Sequence, residues 1–282
     1  MSDSRGVSLH IGVNYVDKNH YGGTWDGKLN ACEKDCDDMQ AIARVQGFET
    51  HVLKSQDATR DAVATKISEI SGQLKEGDFF LLSYSGHGGT IPDVDGDEED
   101  QVDETWCLFD GQLLDDELNI LWSKFKAGVR VLVVSDSCHS GTMLKDIDLN
   151  AMNLRQAGRV VDPEEIVEHA RAMPRSIARS TARRNYEFYA NLQYDLPDPR
   201  PEIHASVRLL SGCQEDELSW EGSGNGRFTE ALKKTYADGE FDKDYNSFHC
   251  SIVELVKHKQ TPNHAVLGVP NNDYDKQRPF KI

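Results

Sequence analysis

The sequence predicts an α/β fold, a mainly parallel sheet of about six strands with helices on both faces. Three observations carry this. Short runs such as Phe79–Leu82 and Val129–Val134 are apolar without alternation, as in strands covered on both sides. Segments with helical spacing separate them. The 282 residues suffice for one large domain or two small ones.

Val7 to Tyr15 reads as the first strand. Residues 29 to 47 read as a helix, because Leu29, Cys32, Cys36, Met39, Ile42, Ala43 and Val45 fall near helical spacing and Gly47 can stop it. Phe48 to Leu53 is the second strand. Asp61 to Leu74 is a helix ended by Gly77, and Phe79 to Tyr84 is the third strand. Thr105 to Phe109 and Gln112 to Leu114 form a hairpin around Asp110-Gly111. A helix over Asp116 to Phe125 precedes the fourth strand, Val129 to Ser135, and Ser206 to Ser211 is the fifth. Phe228 to Tyr236 and Tyr245 to Lys257 are helices, and His264 to Val269 is the sixth strand.

Residues 142 to 205 interrupt this order. They hold seven arginines between Arg155 and Arg184, and no lysine occurs between Lys145 and Lys233. Arg171, Arg175, Arg179 and Arg183 recur every four residues, which suggests a helix, although Pro174 interrupts it. A connection this long is either functional or a solvated surface insertion. The expected organisation is one domain over 1–282: a segment 1–141, the arginine-rich insertion 142–205 and a segment 206–282.

Hydrophobic content is 38% and mean hydropathy is −0.59. No apolar run approaches the roughly 20 residues that span a bilayer. Met1-Ser2-Asp3-Ser4-Arg5 lacks the basic and apolar character of a signal peptide, so a cytoplasmic location away from membranes is expected. The net charge of −17 argues against nucleic acid and suits a basic peptide or a divalent cation, besides simple solubility. The six cysteines, Cys32, Cys36, Cys107, Cys138, Cys213 and Cys250, are expected as free thiols. Cys32 and Cys36 can share a helix face, but no matching Cys/His pair completes a zinc set.

Two motifs carry chemistry. Tyr84-Ser85-Gly86-His87-Gly88-Gly89 follows the third strand, and Ser135-Asp136-Ser137-Cys138-His139-Ser140-Gly141 follows the fourth. In parallel sheets ligands bind beyond the carboxyl ends of strands, where both fall. A thiol and an imidazole there can act as nucleophile and proton-transfer partner. The amides of Cys138 and of a glycine beside His87, Gly88, can serve as an oxyanion hole. His139 competes for the base role, but sequence neighbours on an extended backbone point apart, which favours His87.

These residues resemble the caspase-like cysteine peptidases, specifically the metacaspases and their prokaryotic relatives, the orthocaspases. The similarity runs in order through Leu9-His10-Ile11-Gly12-Val13-Asn14-Tyr15, Leu29-Asn30-Ala31-Cys32-Glu33-Lys34-Asp35, the two motifs above, Leu209-Leu210-Ser211-Gly212-Cys213-Gln214, Gly226-Arg227-Phe228-Thr229-Glu230-Ala231-Leu232 and Lys259-Gln260-Thr261-Pro262. It implies a caspase-like sheet, with 1–141 as a large-subunit-like and 206–282 as a small-subunit-like segment. It implies peptide-bond hydrolysis by His87 and Cys138 after Arg or Lys, with Asp35, Ser85 and Asp136 in the first specificity pocket. A carboxylate pair there selects a guanidinium by charge and bidentate geometry; the other reading of Asp35 is a solvated helix face shared with Asp37 and Asp38. The resemblance further implies a monomer, protein or peptide substrates, and activation by cleavage in the insertion. The candidates are Arg155, Arg159, Arg175, Arg179, Arg183 and Arg184, cut by the chain itself or by an upstream protease. The insertion can also lie in the cleft as an inhibitory pseudo-substrate.

Asp93 to Glu104 holds eight carboxylates in twelve residues. It is not an EF-hand, because its glycine, Gly96, falls at position four rather than six. No organic cofactor is expected. The resemblance implies calcium activation through Asp103, Asp115 and Asp116, although Lys145, beside Asp146, stands where the family has a further acidic ligand. The competing functional classes are a non-catalytic caspase-like binding module and an acidic calcium-binding regulatory protein.

Overall fold

The computed structural model describes residues 4–94, 96, 101–137, 170–213, 224–257 and 260–282. Cys138, Arg155, Arg159, Lys145 and Asp146 lie outside the described residues.

The main sheet consists of β1 (Gly6–Gly12), β2 (Glu49–Lys54), β3 (Phe79–Ser85), β7 (Arg130–Asp136), β8 (Ser206–Ser211) and β9 (Asn263–Gly268). Their spatial order is β2-β1-β3-β7-β8-β9. All neighbours pair in parallel except β8 with β9. A smaller antiparallel sheet is formed by β4 (Gly88–Pro92), β5 (Val102–Leu108) and β6 (Gly111–Leu114).

β3 and β7 are apolar over most of their length because both faces are covered. Phe79, Leu81, Leu132 and Val134 pack into one core with Met39 and Ile42 of α1 (Cys32–Val45). The same core holds Phe228 and Leu232 of α6 (Arg227–Tyr236) and Phe248 and Ile252 of α7 (Tyr245–Val256). The alternate residues Phe80, Leu82, Val131 and Val133 point into the other core. There they meet Val63 and Ile67 of α2 (Arg60–Gln73) and Leu118, Leu121 and Trp122 of α3 (Asp115–Ser123). The period of two along each strand thus divides one apolar run between two cores. Among the described residues no helix is long and apolar enough to cross a membrane.

The elements differ from the sequence expectation in four places. β1 ends at Gly12, because Val13 donates its amide to Ser85 and the following backbone bonds a loop, Val16 to Asp26 and Leu29 to Asn14. The helix expected from residue 29 begins at Cys32. β4 has no counterpart in the sequence expectation, which assigns no element to residues 88–92. It pairs along its length with β5, bonds on its other side through Gly88, and carries Pro92 at its end, where a proline is tolerated. In the insertion, the four-residue arginine spacing does not describe one helix. Pro174 precedes α4 (Arg175–Arg184), Asn185 separates it from α5 (Tyr186–Tyr194), and Arg171 stands outside both.

Candidate active site at the ends of β1, β3 and β7

Register places Ser85, the last residue of β3, beside Asp136, the last residue of β7. Asp35 reaches the same point from the first turn of α1, where the partial positive charge of the helix start favours a carboxylate. Asp35, Ser85 and Asp136 are all buried. The solvated-face reading of Asp35 therefore fails: the charged face of α1 is carried by Asp37 and by Asp38, which bridges Lys34 and Lys233.

Between the two carboxylates lies the guanidinium of Arg171, with a side-chain exposure of 0%. Its Nη2 donates to Asp35 Oδ2 at 2.7 Å. Its Nη1 donates to Ser85 Oγ at 2.8 Å and to the Asp136 carbonyl at 3.1 Å, and stands 3.1 Å from Asp136 Oδ2. Ser85 Oγ donates in turn to Asp35 Oδ2 at 2.8 Å. Burial pushes the Asp35 carboxyl above its usual range, Arg171 opposes that, and Asp136 adds to it. For Arg171, burial disfavours the charge, but Asp136 and Asp35 outweigh it and hold the guanidinium well above its ordinary value.

A second ring of residues fixes the carboxylates. Thr229 donates to Asp136 Oδ2 through its amide at 3.0 Å and its hydroxyl at 2.7 Å. Asn225 Nδ2 donates to Asp35 Oδ1 at 2.8 Å and to Asp38 Oδ2 at 2.7 Å, and the Gly226 amide donates to Asp35 Oδ1 at 3.1 Å. Gly226 has no room for a side chain. A Cβ there would stand 2.3 Å from Asp136 Oδ2 and 2.5 Å from Arg171 Cζ.

Arg171 belongs to a short extended segment. The Gly88 amide donates to the Arg171 carbonyl at 3.0 Å, and the Met173 amide donates to the Gly88 carbonyl at 2.7 Å. Ala170, Ala172 and Met173 are buried with it. His87 lies beside this backbone. Its Nε2 donates to the Gly27 carbonyl at 3.0 Å, and Trp25 leans on the ring at 4.8 Å between centroids. With Nε2 carrying the proton, Nδ1 keeps its lone pair; Nδ1 is buried and has no hydrogen-bond partner among the described residues. Burial lowers the imidazole to about 4; the Gly27 carbonyl raises it, Arg171 lowers it further, and the nearby Ala172 backbone raises it.

The remaining sequence candidates lie elsewhere. Arg175, Arg179, Arg183 and Arg184 sit on α4, a hydrogen-bonded helix rather than an extended strand. Asp103 lies in β5 opposite Ile91, and Asp115 and Asp116 open α3. Both Asp116 oxygens accept from Arg200, Nε to Oδ1 at 3.0 Å and Nη2 to Oδ2. Among the described residues no group of three His, Cys, Asp or Glu could hold a metal ion. As arranged, Asp116 is held by a guanidinium, and residues 95, 97–100, 145 and 146 lie outside the described residues. Sequence reasoning missed Arg171, Asn225, Gly226, Thr229 and Gly27. The available signal for Arg171 was its place before Pro174, between two alanines.

The sequence model of the family described as "Caspase domain" matches residues 5–278. The crystal structure of protein GSU0716 from Geobacter sulfurreducens has a TM-score of 0.87 at 46% identity, covering 99% of each chain. Caspase-1 from Spodoptera frugiperda has a TM-score of 0.55 at 11% identity, over 94% of this chain and 86% of that one, a likeness of fold. Metacaspase-1B of Aspergillus fumigatus is 32% identical over 152 residues, 49% of this chain and 36% of that protein. Metacaspase-1 of Mycosarcoma maydis is 27% identical over 250 residues, 79% of this chain and 60% of that protein. The chain spans about a third of the length of the first curated relatives it matches.

Two outcomes follow from this geometry. In a Cys138→Ala background, Gly226→Ala should unseat Arg171 with a loss of about 1–3 kcal/mol. Trypsin should then cut after Arg171 in the variant and spare it in the parent; equal protection in both would remove Gly226 from the pocket wall. His87 should stay neutral in the intact chain down to about pH 5, since its value lies near 4. Its lowered value also means that stability falls as pH drops from about 6.5 toward about 4, where the unfolded chain binds the extra proton. Imidazole NMR, assigned with His87→Gln, should show its titration move upward once Arg171 has left the cleft.

Proposed function

We propose, for a chain that belongs to the caspase-domain family, that it is a cysteine endopeptidase cutting after arginine, with Cys138 as nucleophile and His87 as its proton-transfer partner. One observation carries this reading: the chain's own Arg171 lies in a buried two-carboxylate pocket with its carbonyl on the Gly88 amide. That is the pose a substrate needs before attack. An arginine fits better than a lysine, because both Nη atoms are used and an ammonium has no fork to divide between two acids.

The chemistry balances as acyl transfer. Nδ1 of His87 takes the Cys138 thiol proton, and the thiolate attacks the arginine carbonyl carbon. The oxyanion is stabilised by the Gly88 amide, with the Cys138 amide as the second donor. The tetrahedral intermediate collapses, the C–N bond breaks, and His87 returns its proton to the leaving amine. Water then attacks the thioester with His87 as base, releasing the carboxylate product and the thiol. The Gly27 carbonyl holds the imidazole in the tautomer this requires.

In the same reading the described chain is the latent form, with Arg171 as pseudo-substrate, and the activating cut is the Arg171–Ala172 bond. Cytoplasmic action on basic protein segments by a monomer fits the acid-rich chain. Calcium, if it acts through Asp103, Asp115 and Asp116, must first replace Arg200 at Asp116. Arg200→Gln should therefore tighten calcium binding measured by calorimetry; unchanged affinity would move the cation off these residues.

Fluorogenic peptides test the activity itself. Reporters ending in Arg should be cut fastest, Lys roughly 10-fold more slowly, and Asp not at all. Cys138→Ala or His87→Ala should lower kcat by at least about a thousandfold. No turnover by the intact chain or after limited trypsin nicking, at any calcium level, would favour a non-catalytic binding module.

A further inference from the structure

The pseudo-substrate continues past Arg171, and its second residue there is seated as firmly as the arginine. Gly88 clamps both ends of Ala172: its amide holds the Arg171 carbonyl and its carbonyl holds the Met173 amide. Met173 is 3% exposed and packs into the core that underlies the main sheet. Its methyl fills a gap left by Gly89. A Cβ on Gly89 would stand 2.6 Å from Met173 Cε, 2.7 Å from Gln112 Oε1 and 3.1 Å from Cys107 Sγ. The gap is framed by the small sheet, where Gly89 pairs with Thr105 and Cys107 pairs with Gln112.

The chemistry of the walls is defined. Gln112 Oε1 accepts from Thr105 Oγ1 at 2.8 Å, which fixes the carboxamide. Burial raises the Cys107 thiol far above its ordinary value, so that wall is neutral. An unbranched apolar side chain suits such a slot, because a thioether or alkyl chain bends into an irregular gap. A β-branched residue would widen where the backbone is clamped, and a carboxylate would be desolvated without a cation.

We propose that Gly89, Cys107 and Gln112 line a specificity pocket for the residue two positions after the cut bond, and that it selects methionine or a similar unbranched apolar side chain. This rests on the reading of the chain as an arginine-specific peptidase. The pocket has two uses. It anchors the latent segment beside Arg171, and it gives the enzyme a second point at which to read a substrate. Met173 and an incoming substrate compete for it.

The test uses internally quenched peptides of the form Ala-Arg-Ala-Xaa, with Xaa as Met, norleucine, Ser or Asp. The enzyme is the full chain carrying Arg171→Ala and Met173→Ser, which empties both pockets. The single variant Met173→Ser, after cleavage of its Arg171–Ala172 bond, carries the same comparison should the double variant fail to fold. Met and norleucine peptides should show kcat/KM at least about 10-fold above Ser and Asp, the size expected for a lost apolar group in a pocket. Gly89→Ala should bring that ratio close to one. Equal rates for all four peptides would overturn the pocket and leave the arginine reading intact. Failure to cut any of them, by either form of the enzyme, would overturn the peptidase reading and the pocket with it.

Discussion

The structure turns on one buried cation. Arg171 sits between Asp35 and Asp136 with no solvent contact, and the elements that meet there include α1, β3, β7 and the segment leading into α6. Two carboxyl groups and one guanidinium are buried together inside the protein. Such a cluster is tolerable because donors meet both Asp35 oxygens and Asp136 Oδ2: Ser85, Asn225, the Gly226 amide and Thr229 supply them beside Arg171. Removing one partner of a buried pair typically costs about 3–5 kcal/mol. The pocket without a cation is therefore the less stable state, and under the proposed function it would receive an arginine from any source.

Under the proposed function, latency follows from tethering. A segment on the same chain competes with free substrates at an effective concentration on the order of millimolar for short flexible links. Arg171 is held further by its surroundings. Tyr189 of α5 accepts from the Gln112 amide at 2.9 Å and lies 2.6 Å from His20 Nε2. Gln193 bridges the Val94 amide and the Pro92 carbonyl. Arg200 closes the far end on Asp116. Breaking the backbone beside Arg171 would leave Met173, α4 and α5 bound to the small sheet.

Much of the fold was legible because its strands carry strong local signals. The innermost strands, β3 and β7, announce themselves as apolar runs, and the ordered motifs placed His87 and Asp136 at strand ends. Asp35 was ambiguous in sequence, since three acids crowd one helix start and only packing tells which of them faces inward. β4 was hidden by its glycines. Yet Gly89 is there because Met173 needs its space, a reason that lies 84 residues along the chain. Arg171 was concealed by a coincidence of spacing with the arginines of α4, and Pro174 was the residue that should have separated them. Gly226 and Thr229 lay within a quoted motif, but their roles depend on the third dimension.

The central claim is that Arg171 is held as a substrate of its own chain, ready for cleavage. Intact-mass analysis with N-terminal sequencing of the purified protein, beside Cys138→Ala, tests it most directly. The account predicts one fragment ending at Arg171 and one beginning at Ala172, both absent from Cys138→Ala. Self-cleavage at Arg175, Arg179, Arg183 or Arg184 with the Arg171–Ala172 bond intact would contradict it.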